Sequence, residues 1–221
     1  MIKKVGEPIP MIVRRATGGS RSRMKPTSKQ VGQELSWDLV IGDWMAPLGA
    51  GKVADLNVKF ESSYLDEQNR TSKVSIRFAN VADGCIPLTE LKGEDSLLKF
   101  PREASEKGYD TKELLYSLEY EEIENALGYR ENIYTQLPNP LPMGYLLRLR
   151  TRYDVAGRIR SAIYGKITKP FELEDSVFQG DRRLFLNFDY YLNPTPNDRN
   201  LEYDQKTNLA PEADKDLRWP P

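Results

Sequence analysis

The stretch from Tyr145 to Ile167 constrains the fold more than any other part of the chain. At its centre, Asp154-Val155-Ala156-Gly157 places Asp at the first and Gly at the fourth position of a type I turn, where glycine supplies a left-handed residue. A turn there makes Tyr153 face Ile159, Thr151 face Ser161, Leu149 face Ile163, Leu147 face Gly165 and Tyr145 face Ile167. Every pair is apolar or small. A one-residue slip would interleave them with Arg148, Arg150 and Arg152, so turn chemistry and hydrophobic pattern select the same register.

Other segments alternate with the same period. Leu56, Val58, Phe60 and Tyr64 are separated by polar residues, and the loop 66–71 then leads into Val74, Ile76 and Phe78, a second hairpin. Leu39, Val40 and Ile41 suggest a short strand, residues 81–110 read as irregular, and Leu184, Leu186, Phe188, Tyr190 and Leu192 form a last strand. A helix is expected over about 110–127. Asp110 or Thr111 caps it, Tyr116, Tyr120, Ile123 and Leu127 form its stripe, and Gly128 closes it, although Leu114, Tyr116, Leu118 and Tyr120 also alternate like a strand. The expected fold is mainly β: an antiparallel β-sandwich or open barrel with one helical excursion.

Charge divides the chain further. Residues 1–30 hold eight cationic residues against Glu7 alone, a net of +7, whereas the whole chain of 221 residues carries −1. A basic flexible or extended arm is expected over 1–34, a single β-rich domain over 35–195 and a polar extension over 196–221. Near-neutrality argues against a nucleic-acid binder, and the arm has no aromatic residue on which bases could stack. No apolar run is long enough to span a bilayer. The start MIKKVGEPIP lacks the apolar stretch of a signal peptide. A tail-like N-terminus nonetheless suits a protein that follows a processed signal, so a periplasmic, surface or secreted setting is expected over a cytoplasmic one.

The chain has no histidine, which removes Ser-His-Asp and Cys-His catalysis and every histidine metal site. Its one cysteine, Cys85, reads as a small buried hydrophobe. Gly49-Ala50-Gly51-Lys52 fails as a phosphate loop, because Ala46 stands where the first Gly belongs and Val53 replaces the Ser or Thr. Asp198, Asn200, Glu202 and Asp204 alternate like a calcium loop, but Tyr203 and Leu209 occupy its required Gly and Glu positions. Those residues read as a turn with side-chain-to-backbone bonds. No cofactor is implied. Paired carboxylates, as in a glycoside hydrolase, are the one catalytic option left on a β-scaffold.

The candidate binding residues lie on the second face of the 145–167 hairpin. Leu146, Arg148, Arg150 and Arg152 line one strand, and Arg160, Ala162, Tyr164 and Lys166 the other, with Arg152 facing Arg160. Opposed like charges destabilise a sheet, so acids such as Glu172, Glu174, Asp189 or the 89–125 segment must neutralise the row, or an anionic partner must. Tyr191 on the outer parity of the last strand, with Tyr190, Trp37 and Trp44, offers a stacking platform for sugars. The resulting expectation is a non-catalytic binding module of a bacterial envelope or exterior that recognises a glycan or an acidic protein surface through Arg148, Arg150, Arg152, Arg160, Tyr164 and Tyr191. The alternative is an assembly protein that reaches its neighbours with its two terminal segments.

Overall fold

The computed structural model describes residues 7–15, 31–66, 68–90, 100–124, 127–128, 130–178 and 181–210. They form fourteen strands: β1 (Ile9–Arg15), β2 (Glu34–Asp38), β3 (Asp43–Trp44), β4 (Leu56–Tyr64), β5 (Arg70–Phe78), β6 (Gly84–Leu88), β7 (Leu114–Glu124), β8 (Arg130–Leu137), β9 (Gly144–Tyr153), β10 (Ile159–Ile167), β11 (Glu172–Phe178), β12 (Asp181–Asn187), β13 (Asp189–Asn193) and β14 (Tyr203–Asn208). One six-stranded sheet runs β14-β1-β13-β10-β9-β6, and the other runs β3-β2-β4-β5-β7-β8. β11 and β12 make a separate hairpin. All pairings are antiparallel except β1 with β14. The mainly β, sandwich-like architecture expected from the alternation is therefore present. No helix among the described residues is long and apolar enough to cross a membrane.

The main core lies between the sheets. Trp37, Val58, Phe60, Val74, Ile76 and Tyr116 meet Ile12, Tyr145, Leu147, Leu149, Ile167 and Tyr190. Cys85 joins this core, and burial pushes its thiol up to about 12, so it behaves as a hydrophobe. Both hairpins read from sequence form. The 154–157 turn closes with Gly157 at φ 74°, and the Asp154 carboxylate accepts the backbone N–H groups of Ala156 and Arg158.

Several expectations are corrected. The segment expected as a helix is the long strand β7, because Tyr116 and Leu118 reach the core only in the alternating arrangement, and pairing with both β5 and β8 satisfies the backbone. Leu39–Ile41 form a turn, and the strand ends just before them at Asp38. The single last strand is two: Phe188 separates β12, in the hairpin, from β13, in the first sheet. Residues 81–110 hold the strand β6 as well as irregular chain.

Two strands lie in the segments expected to flank the β-rich domain. β1 lies within residues expected as an arm, yet it is an interior strand with Met11, Ile12 and Val13 buried; residues 1–6 and 16–30 lie outside the described residues. At the other end, β14 pairs with β1 at the edge of the first sheet. The calcium-loop-like run forms the expected turn bonds: Asp198 accepts the N–H of Asn200, Asn200 that of Glu202, and Asp204 those of Lys206 and Thr207.

Candidate functional site

The second face of the β9–β10 hairpin is not a surface along most of its length. Leu146, Ala162, Tyr164, Lys166 and Tyr191 are buried there with Met11, Val13, Leu201 and Tyr203 in a second core. The cover is built by two irregular segments that hold each other. Ala104 N–H donates to the Arg199 carbonyl and Leu201 N–H to the Arg102 carbonyl. Asn197 then clamps β10, accepting from Ala162 N–H and donating to the Arg160 carbonyl. Tyr191 is thus 1% exposed and packs 5.6 Å from the Tyr203 ring. Trp37 is likewise buried, edge-on to Trp44. The sugar platform expected from Tyr191 and the tryptophans is overturned, because strand parity says which side a residue faces but not what covers that side.

The expected arginine row is dispersed by two bulges. Register is regular at Tyr153 with Ile159, shifts so that Arg152 faces Ser161, and returns at Leu149 with Ile163. Arg152 therefore does not face Arg160, as an unbroken ladder would require. On β9 the bulge puts Arg150 at φ 53°, a left-handed conformation that costs a non-glycine residue about 1–2 kcal/mol. Asp83 holds it there by accepting the N–H groups of Arg150 and Thr151, both at 2.8 Å. Arg148 remains on the outer side but lies beneath the cover, its guanidinium 4.8 Å from the Tyr109 ring and donating to the Ala82 carbonyl at 3.0 Å.

Released from the row, Arg150 crosses to the loop between β2 and β4. It donates to Asp55 through Nε and Nη2, both at 2.9 Å, and through Nη2 to Asp38 at 2.8 Å. Asp38 also accepts four backbone N–H groups, from Val40 and Ile41 on one oxygen and from Lys52 and Val53 on the other. Burial raises the Asp38 pKa, but these donors and the Arg150 charge outweigh it and hold the carboxyl below its usual range. At Asp55 burial wins over Arg150 and the Leu39 N–H, so its pKa is raised. Asp83 is raised as well, by burial first and by the Asp55 charge in addition. The oxygens of Asp38, Asp55 and Asp83 are engaged by backbone N–H groups and the guanidinium, an arrangement that clasps loops together rather than presenting an acid and a base across a cleft. The acids that neutralise Arg150 are not those expected: Glu174 accepts from Asn187, and Asp189 pairs with Lys169.

The clasp unites three loops at one end of the sandwich: 39–55, 79–83 and the β9–β10 tip. Asn80 adds a bond to the Thr151 carbonyl, and Ala79 N–H donates to Asp55 O. On this framework sit exposed apolar side chains, with Val81 91%, Leu48 45% and Tyr153 49% accessible. Arg152 and Arg160 are both exposed here, and no described carboxylate pairs with either. Of the six residues expected to bind, the structure leaves these two at the surface, buries Tyr164 and Tyr191, covers Arg148 and turns Arg150 into a strut. Leu48, Val53 and Val81 were missed because isolated apolar residues in loops carry no periodic signal. No known protein family, curated protein or solved structure matches this chain.

Proposed function

We propose that the chain is a non-catalytic β-sandwich binding module whose clasped loop end recognises an acidic protein surface. The observation that carries this reading is the pairing of rigidity with chemistry. Loops fixed by a buried ionic network carry the exposed Leu48, Val53 and Val81, and the hairpin that Arg150 ties to them carries the exposed Arg152, Tyr153 and Arg160. Apolar residues rimmed by guanidinium forks suit a carboxylate-bearing protein partner, and loops held in place lose little entropy on binding. Fluorescent poly-glutamate serves as the probe. Its salt-sensitive binding should weaken by about tenfold or more when Arg152→Glu and Arg160→Glu are combined, with the fold intact by circular dichroism. Equal binding by wild type and variant would place the anion-binding charge elsewhere, for example in the +7 N-terminal segment, and defeat the proposal.

A second reading, assembly with copies of itself, is favoured by the β8 edge. Among the described residues β8 pairs only with β7, and it exposes Ile133 and Leu137 on one face. An antiparallel pairing of two β8 strands can set Ile133 opposite Leu137 of a partner copy in both directions, with Thr135 opposite itself. Light scattering over a concentration series decides: a dimer that Ile133→Lys dissociates supports it, and a strict monomer rejects it.

A further inference from the structure

The outer face of β7 and β8 is the chemical complement of the clasped loop end. Strand alternation sends Tyr116 and Leu118 into the core and puts Leu115, Ser117, Glu119 and Glu121 on the other face. Register sets Leu137 opposite Ser117, Thr135 opposite Glu119 and Ile133 opposite Glu121 on that same face. Leu115, Glu119, Glu121, Ile133, Thr135 and Leu137 are all exposed there. The first sheet differs, because irregular segments bury its outer side in a second core.

Charge on this hairpin is one-sided. Residues 114–137 hold five glutamates against Arg130 alone, a net of −4. Arg130 pairs with Glu122, and among the described residues no cation pairs with Glu119 or Glu121. The two carboxylates also lie away from the clasp. Leu114 is opposite Ile76, where β5 runs toward the clasped loops, whereas Glu119 is opposite Thr71, beside the turn that joins β4 to β5.

We infer that the acidic surface recognised by the loop end is the β7–β8 face of a second copy, so that the chain associates head to tail. This partner presupposes the loop-end site proposed above. Residues 152–160 carry three arginines against Asp154, a net of +2, and Asp154 pairs with Arg158. Arg152 and Arg160 therefore remain to meet Glu119 and Glu121. Both patches also carry exposed apolar residues: Tyr153 and Val155 on the one hairpin, Leu115, Ile133 and Leu137 on the other. Their contact buries apolar area while guanidinium groups meet carboxylates. The patches lie at opposite ends of the second sheet, so the complement comes from another copy. Because the two patches differ, each contact leaves one of each kind free, and association continues past the dimer.

Sedimentation velocity of the full chain over a concentration series tests the inference. The mean mass should rise past that of a dimer, and about 0.5 M salt should reverse the rise. Arg152→Glu/Arg160→Glu and Glu119→Lys/Glu121→Lys should each weaken association by about tenfold or more. All four positions are exposed, so the urea midpoint should stay near that of wild type. A chain carrying both pairs, with the charges exchanged, should associate to within about threefold of wild type, a recovery that loss of fold does not produce. A strict monomer up to about 1 mM, an association that stops at dimers, a mass series that neither pair changes, or no recovery in the exchanged chain overturns the inference. If that chain fails but poly-glutamate still binds through Arg152 and Arg160, the loop-end reading stands and only the second copy is rejected. Loss of both rejects the two together.

Discussion

Replacing Arg150 with methionine should destabilise the protein by about 3 kcal/mol, at the lower end of the ~3–5 kcal/mol typical for removing one partner of a buried ion pair. Methionine fills similar space but leaves Asp38 and Asp55, 1% and 0% exposed as residues, without their counter-charge. The lower end applies because the Arg150 side chain is itself 28% exposed, so water reaches the gap. Urea denaturation at neutral pH measures the effect. Adding Asp55→Asn to the variant should recover part of the loss, since it removes one uncompensated charge. A cost under about 1 kcal/mol would mean that the two carboxylates are solvated and the clasp contributes little.

The same variant has a pH signature. Asp55 already titrates above its usual range, because burial outweighs the guanidinium. A raised folded pKa means that stability is fully present below the unfolded value and is lost as pH rises through the folded one. Without Arg150 the Asp55 pKa rises further, so the variant binds that proton more readily on folding than wild type does. The difference between the two should therefore narrow as pH falls from 7 toward about 4. Asp38 has the opposite sign. Its lowered pKa keeps it ionised through more of the descent, so a residual cost persists until it too is protonated.

Phe171→Ala should cost about 3–5 kcal/mol, the range for truncating a buried aromatic. The ring is 2% exposed and lies 4.8 Å from Phe188, 5.4 Å from Tyr145 and 5.6 Å from Tyr116. It thus joins β9 of one sheet to β7 of the other, next to the hydrogen bond between the Tyr116 and Tyr145 hydroxyls. The adjoining cavity, about 10 Å³, offers no more room than a single water needs, so the truncated site would hold a new void. Phe171→Leu should cost clearly less. Unlike the loss at Arg150, this one should be nearly independent of pH, because no ionised group changes its surroundings. A loss below about 1.5 kcal/mol for the alanine variant would show that the sheets close over the gap.

Two hairpins are encoded by residues close together in the chain. The 145–167 register holds at Tyr153, Leu149, Leu147 and Tyr145 because turn chemistry and inward parity are both written in neighbouring residues. The 56–78 hairpin follows for the same reason. β7 was ambiguous because four apolar residues at every second position, followed by Ile123 and Leu127, satisfy parts of both periods. Its position between β5 and β8 resolved the ambiguity.

The candidate site was legible only as composition. The sequence did mark the hairpin end as rich in arginine, and Arg152 and Arg160 remain exposed there. By itself, the sequence determined the strand period, the principal hairpins, the burial of Cys85 and the absence of histidine chemistry, since each follows from residue type or from neighbours along the chain. Tertiary structure alone decided which arginine is a strut, which is covered and which face carries a surface. Asp83, Asp55 and Asp38 lie 67, 95 and 112 residues from Arg150, and the cover over Tyr164 and Tyr191 comes from irregular segments with no period to read. Hydrogen bonds and burial of this kind depend on which distant segments the fold brings together, and that information is not carried by any local pattern.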